Sequence, residues 1–153
     1  FTIPELLIVM GIIAILFGFI SINLIHLQRS SYLTTTVDTL VSDLYSQQNK
    51  TMVGDSEGTG TTNNYSVHFE ANRYTLYRGY PYSPLGSTNF NVDLDPSLTF
   101  SNIAFPYDSV IFSTGSGELV GFVSGSNRVT LTDSTNGEQK IIETNKYGAV
   151  TVQ

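Results

Sequence analysis

An α+β fold is predicted: a long N-terminal α-helix, with an apolar protruding half and an amphipathic half packed on an antiparallel β-sheet head. Three observations carry this. Leu6 to Leu27 is a run of 22 residues without a formal charge. Leu33, Val37, Leu40, Val41 and Leu44 then recur at helical spacing, with Asp38, Ser42, Asp43 and Ser46 between them. From residue 65 onward, short segments alternate apolar with polar residues and are separated by clusters of Gly, Asn, Asp and Ser. A helix with one apolar stripe and a sheet with one apolar face each need cover, and each can cover the other.

The apolar run corresponds to roughly 33 Å of helix, and about 30 Å spans the hydrocarbon core of a bilayer. Residues 1–28 are therefore expected to form a transmembrane or filament-core helix, and residues 29–153 a globular head. Pro4 suits the first helical turn, where a missing N–H costs nothing. Glu5 sits in the same turn, near the positive end of the helix dipole, with no cationic side chain close in sequence. Gly11 and Gly18 each weaken a helix interior by roughly 1 kcal/mol in water, yet small residues let packed helices approach closely. Ser21 and Asn23 add polar side chains, so from Gly11 to Asn23 two alternatives stand: a helix that loosens, or one that continues unbroken.

The amphipathic part is predicted over 29–52, followed by a polar loop at 53–64 in which Gly54, Gly58 and Gly60 act as breakers. Strands are predicted at 65–70 and 73–79 as a hairpin, then at 109–113, 118–124, 128–132, 140–144 and 149–153, with shorter ones in FNVDL and LTFSNI. Turn-rich connectors suggest a β-meander within one sheet over 65–153.

The net charge is −6 and only 13% of residues are charged, the opposite of the clustered basic footprint that binds nucleic acid. No sequence-specific nucleic-acid partner is expected. Cysteine is absent, which excludes disulfides, thiolate metal sites and thiol nucleophiles. The two histidines, His26 and His68, lie outside any nucleophile elbow or metalloprotease signature and read as structural. No enzyme activity and no cofactor are expected.

The opening residues, FTIPELLIVMGIIAIL, resemble the mature N-terminus of type IV pilins and type II secretion pseudopilins. In that family an aromatic residue, usually Phe, precedes Ser or Thr, Glu occupies the fifth position, and an uncharged helix follows; here these are Phe1, Thr2 and Glu5. The segments VDTLVSDLYSQQNKTM, YSVHFEANRYTLYRG, VIFSTGSGELVGFV and KIIETNKYGAV are similar to the GspH/FimT-like branch. The chain departs from many family members in having Ile22 where a helix-bending proline often stands, Pro4 at a commonly apolar site, and no cysteine pair.

The resemblance implies cleavage ahead of Phe1 by a prepilin peptidase, N-methylation of Phe1, residence in the bacterial cytoplasmic membrane, and machine-driven polymerisation into a helical homo-oligomer. Glu5 of one subunit is then expected to pair with the Phe1 amine of the next and set axial register. The leading function is a structural subunit of an extracellular type IV pilus serving adhesion, motility or DNA uptake. The alternatives are a minor pilin, or a pseudopilin of a periplasmic pseudopilus, that primes or tips a filament. From another class comes a membrane-anchored binding protein.

Further candidates lie in the head. Asn49 and Asn64 match the glycosylation acceptor pattern. Tyr77, Arg78, Tyr80 and Tyr82 gather in YRGYPYSP as a candidate surface contact for a glycan, a surface or single-stranded DNA. No metal site is expected; Asp93 and Asp95 in DLDPS are the nearest to a calcium-ligand pattern but lack a full ligand set.

Overall fold

A computed structural model describes residues 2–153, and for residues 19–31 it describes the backbone alone. The chain divides into two compact units, Phe1–Tyr32 and Leu33–Gln153. Helix α1 carries the helical backbone over Ile3–Val53, so residues 3–18 belong to the first unit and residues 33–53 to the second.

In the first unit, Thr2 stands at the N-cap. Its N–H and Oγ1 both donate to Glu5 Oε2, at 3.0 and 3.2 Å, and Leu6 N–H donates to Thr2 O. The large apolar side chains from Ile3 to Phe17 are all exposed, from 47% at Ile13 to 81% at Ile3. Among the described residues, no helix is long and apolar enough to cross a membrane. The run predicted to do so, 6–27, extends into residues whose side chains lie outside those described.

In the second unit the helix shows its stripe. Leu33, Val37, Leu40 and Leu44 are 0–3% exposed, and Gln47 and Thr51 continue the same line. Burial of each such leucine or valine contributes about 1.5–3 kcal/mol. Thr51 Oγ1 donates to Gln47 O and accepts the N–H of Tyr65, which fixes where the first strand starts. The helix ends in a Schellman pattern, with Gly54 N–H bonded to Thr51 O and Asp55 N–H to Lys50 O.

Eight strands follow: β1 (Tyr65–Glu70), β2 (Arg73–Arg78), β3 (Phe90–Asp93), β4 (Leu98–Ile103), β5 (Ser109–Ile111), β6 (Arg128–Asp133), β7 (Gln139–Thr144) and β8 (Val150–Val152). They form two four-stranded antiparallel sheets, ordered β3-β2-β1-β5 and β4-β6-β7-β8. One core joins the helix stripe to both sheets through Val67, Phe69, Tyr74, Phe100, Phe112, Val129, Leu131 and Ile142. Phe69 sits at its middle, edge-to-face with Phe100 at 5.3 Å and stacked with Phe105 at 5.6 Å. Tyr74 donates to Asp43 Oδ2 at 2.6 Å and ties β2 to the helix.

This corrects the predicted architecture of one long helix, apolar in its protruding half, laid on one sheet. The helical residues described with their side chains fall into two stretches, 3–18 and 32–53, the second of which lies in the second compact unit apart from Tyr32. The strands close two sheets instead of one. The split follows from β1, whose two edges are taken by β2 and β5, and from the turn after β3. There Asp95 accepts the N–H and hydroxyl of Ser97, Leu98 N–H bonds to Asp95 O, and Pro96 has no N–H to continue a ladder. The chain therefore leaves the first sheet, and β4 pairs with β6, with a register shift between Phe100 and Asn102.

The predicted strand at 118–124 is also absent. Only an isolated bridge joins Phe112 to Leu119, and the chain then turns at Val120 and Gly121. Gly121 has φ +69°, a conformation that ends an extended run and that side-chain alternation does not reveal.

Candidate functional site

Glu5 is exposed and accepts both hydrogen bonds from Thr2, half of a Thr-x-x-Glu capping box. That signature stands in the sequence, where the dipole reading passed over it. Gly11 and Gly18 are exposed helical positions where a Cβ would meet nothing within 4 Å, so packing inside the chain does not require glycine at either. Phe1 and the side chains of Ser21, Ile22, Asn23 and His26 lie outside the described residues.

Asn49 is an exposed residue within the helix, whereas glycosylation acceptors favour surface loops. Asn64 lies just before β1, with its Oδ1 accepting the N–H and hydroxyl of Thr114 at 3.1 and 2.8 Å. Asp93 faces Arg73 at 3.6 Å, and Ser97 holds the Asp95 carboxyl below its ordinary pKa by hydrogen bonding. Among the described residues, no group of three His, Asp or Glu side chains is placed to hold a metal ion.

The predicted tyrosine–arginine group divides. Tyr77 and Arg78 are neighbours on a strand, so they project to opposite faces. Arg78 lies on the core-facing side, opposite Tyr65 in register. Its Nη2 donates to Thr59 Oγ1 and Thr61 O, and its guanidinium lies over the Tyr65 ring at 6.0 Å. There it lines a cavity of about 240 Å³ with Lys50, Glu57 and Gln47, and Lys50 pairs with Glu57 at 3.1 Å.

Tyr77 takes the other face, opposite Ser66, with His68 and Ser109 aligned beside them by the pairing of β1 with β5. A cavity of about 290 Å³ opens here, lined by Tyr77, Tyr80, Tyr82, Tyr107 and His68. Tyr82 stacks on His68 at 3.9 Å and meets Tyr77 edge-to-face at 5.1 Å, while Tyr80 and Tyr107 form an edge-to-face pair at 6.4 Å. The Tyr80–Pro81 peptide is cis. Tyr107 and Asp108 both have left-handed backbones, φ 57° and 52°, uncommon outside glycine and concentrated at functional sites.

The polar chemistry of this cavity is readable. Ser109 Oγ donates to Tyr107 O at 2.9 Å and lies 2.9 Å from His68 Nδ1. With the serine proton on the Tyr107 carbonyl, the matching His68 tautomer is the one that donates from Nδ1 to Ser109. Burial lowers the His68 pKa, offset in part by Glu70, Asp108 and the Tyr107 carbonyl. Burial also pushes the Tyr77 phenol up; its hydroxyl has no partner at hydrogen-bonding geometry, although the Ser109 and Ser66 hydroxyls lie near enough to offset part of the rise. Sequence reading brought Tyr77, Tyr80 and Tyr82 together but missed His68, Tyr107 and Ser109, which only the β1–β5 pairing delivers. No protein-family model matches the chain, and neither any curated protein nor any solved structure does.

Proposed function

We propose that this chain is a non-catalytic structural subunit of a type IV pilin-type filament, polymerising through its N-terminal apolar helix into a homo-oligomer. The observation that carries this is the stretch 3–17, whose large apolar side chains are exposed on every side of the helix. A helix without a polar face needs apolar cover on all sides. A lipid bilayer supplies that before assembly, and neighbouring copies of the same helix supply it afterwards. The two-sheet head departs from the expected single sheet, so support comes from the helix and from the Phe1, Thr2, Glu5 motif.

In the filament, Glu5 exchanges part of its bonding with Thr2 for the Phe1 amine of a neighbouring subunit. In a core without water an unpaired carboxylate is costly, so only a subunit in register satisfies both charges. Two variants separate this role from capping. Glu5→Gln keeps a side-chain oxygen for the Thr2 N–H but removes the charge, whereas Glu5→Ala removes both.

The test is electron microscopy and subunit composition of sheared surface filaments. The expected result is this chain as the bulk component, with both variants inserting in the membrane but incorporating poorly. If Glu5→Gln filaments form at normal abundance and register, capping alone accounts for Glu5. Images in which the helix touches only lipid would replace the filament reading with a membrane-anchored protein.

A further inference from the structure

We propose that the tyrosine-lined cavity beside His68 binds an uncharged saccharide, a single pyranose unit with its apolar face laid on the rings. Four observations carry this independently of any filament. The cavity, about 290 Å³, lies just below the usual range for small-ligand pockets, a size suited to one small ring. Its walls are tyrosine rings, and Tyr107 is held 77% exposed at the rim by a left-handed backbone that its own side chain disfavours. Such a residue offers a flat ring to an incoming ligand without rearranging the core.

The third observation is the polar complement. Tyr77 lines the cavity and is 3% exposed, and its buried hydroxyl lacks a hydrogen bond of good geometry. His68 adds an imidazole to the lining, which offers a ring-nitrogen acceptor in the Nδ1-protonated tautomer. A buried hydroxyl without a partner is destabilising, and a ligand hydroxyl that reaches it relieves that cost. A sugar presents both what the rings need, a patch of C–H bonds, and what Tyr77 and His68 need, hydroxyl groups.

The fourth is charge. Among the described residues, no charged side chain lines this cavity, and Arg78 projects to the opposite face of the sheet. Single-stranded nucleic acid needs cations along its phosphates as well as rings for its bases, so this cavity serves it poorly. A quaternary ammonium would be attracted to the ring faces but would leave the Tyr77 hydroxyl without a partner.

The full chain contains nine tyrosines and no tryptophan, so its intrinsic emission reports on tyrosines directly. It is titrated in a polyoxyethylene detergent, which carries no sugar, with the methyl glycosides of glucose, galactose, mannose and N-acetylglucosamine. The expected result is saturable binding of at least one glycoside. Tyr107→Ala weakens it about tenfold and Tyr77→Phe about fivefold. Tyr107 is exposed, so its variant keeps the fold and carries the test even if Tyr77→Phe is unstable. No saturable binding of any glycoside, equal affinity in wild type and Tyr107→Ala, or tighter binding of oligothymidylate or tetramethylammonium at the same tyrosines would overturn the proposal. None of these outcomes bears on the filament reading.

Discussion

Residues 3–18 and 33–53 are both helical and solve opposite problems. The second stretch hides Leu33, Val37, Leu40 and Leu44 beneath two sheets and shows Asp38 and Thr39 to water. The first has no hidden side: Leu6, Leu7, Ile8, Val9 and Met10 are all about half exposed or more. A periodic stripe identifies a helix whose cover lies in its own chain, whereas apolar residues all round identify one whose cover comes from elsewhere. The comparison breaks if substitutions in the two stretches act alike.

The largest contrast is expected from truncating matched leucines. Leu40→Ala should lose about 2–5 kcal/mol of head stability, because it empties a closed core. Leu7→Ala should leave the denaturation midpoint of the head unchanged. Chemical denaturation of the full chain, followed by near-ultraviolet circular dichroism of the head tyrosines, measures both. Equal losses would mean that the first stretch has cover within the chain.

Tyr74→Phe comes next. It removes the 2.6 Å bond to Asp43 and should cost about 1.5–3 kcal/mol, as for hydrogen bonds to charged groups. The Tyr74 phenol is pushed well above its ordinary pKa by burial and by Asp43. The folded chain therefore keeps that proton after the unfolded chain has lost it, and wild-type stability should fall as pH rises above about 10, with a smaller fall in Tyr74→Phe.

Gly148→Ala should cost about 1–3 kcal/mol. A Cβ there would lie 2.3 Å from Gln48 Nε2, at a backbone with φ +80°. Gln48 donates to Gly117 O and Tyr147 O, so this change tests whether the helix is held to two separate turns by one amide. A neutral result would show that the amide can move aside.

The smallest effect concerns His68. Its pKa is lowered in the fold, so as pH falls below about 6.5 the unfolded chain takes up the proton first. Stability should drop over that interval and level off once the folded-state pKa is passed, and His68→Gln should flatten the curve. A pH series of thermal midpoints decides it.

Much of this organisation was legible in the sequence. All eight strands lie within a residue or two of where the sequence puts them, and the helix stripe is buried where its period says. Pairing between distant segments was not legible. Nothing local in SVIFS announces that β5 will run beside β1 and bring Ser109 against His68. The two-sheet division also depends on which strand edges remain open, a property of the assembled fold. Two misses were avoidable. The alternating sides of a strand separate Tyr77 from Arg78 in any register, and Thr2 with Glu5 spells a capping box.

The first sheet ends at β3, four residues long and mostly exposed, carrying Asp93 and followed by Asp95 and Pro96. A brief outer strand guarded by acids and closed by proline is a poor template for a foreign strand. In the proposed filament, crowded heads would therefore have little tendency to zip into continuous cross-β ribbons through this edge.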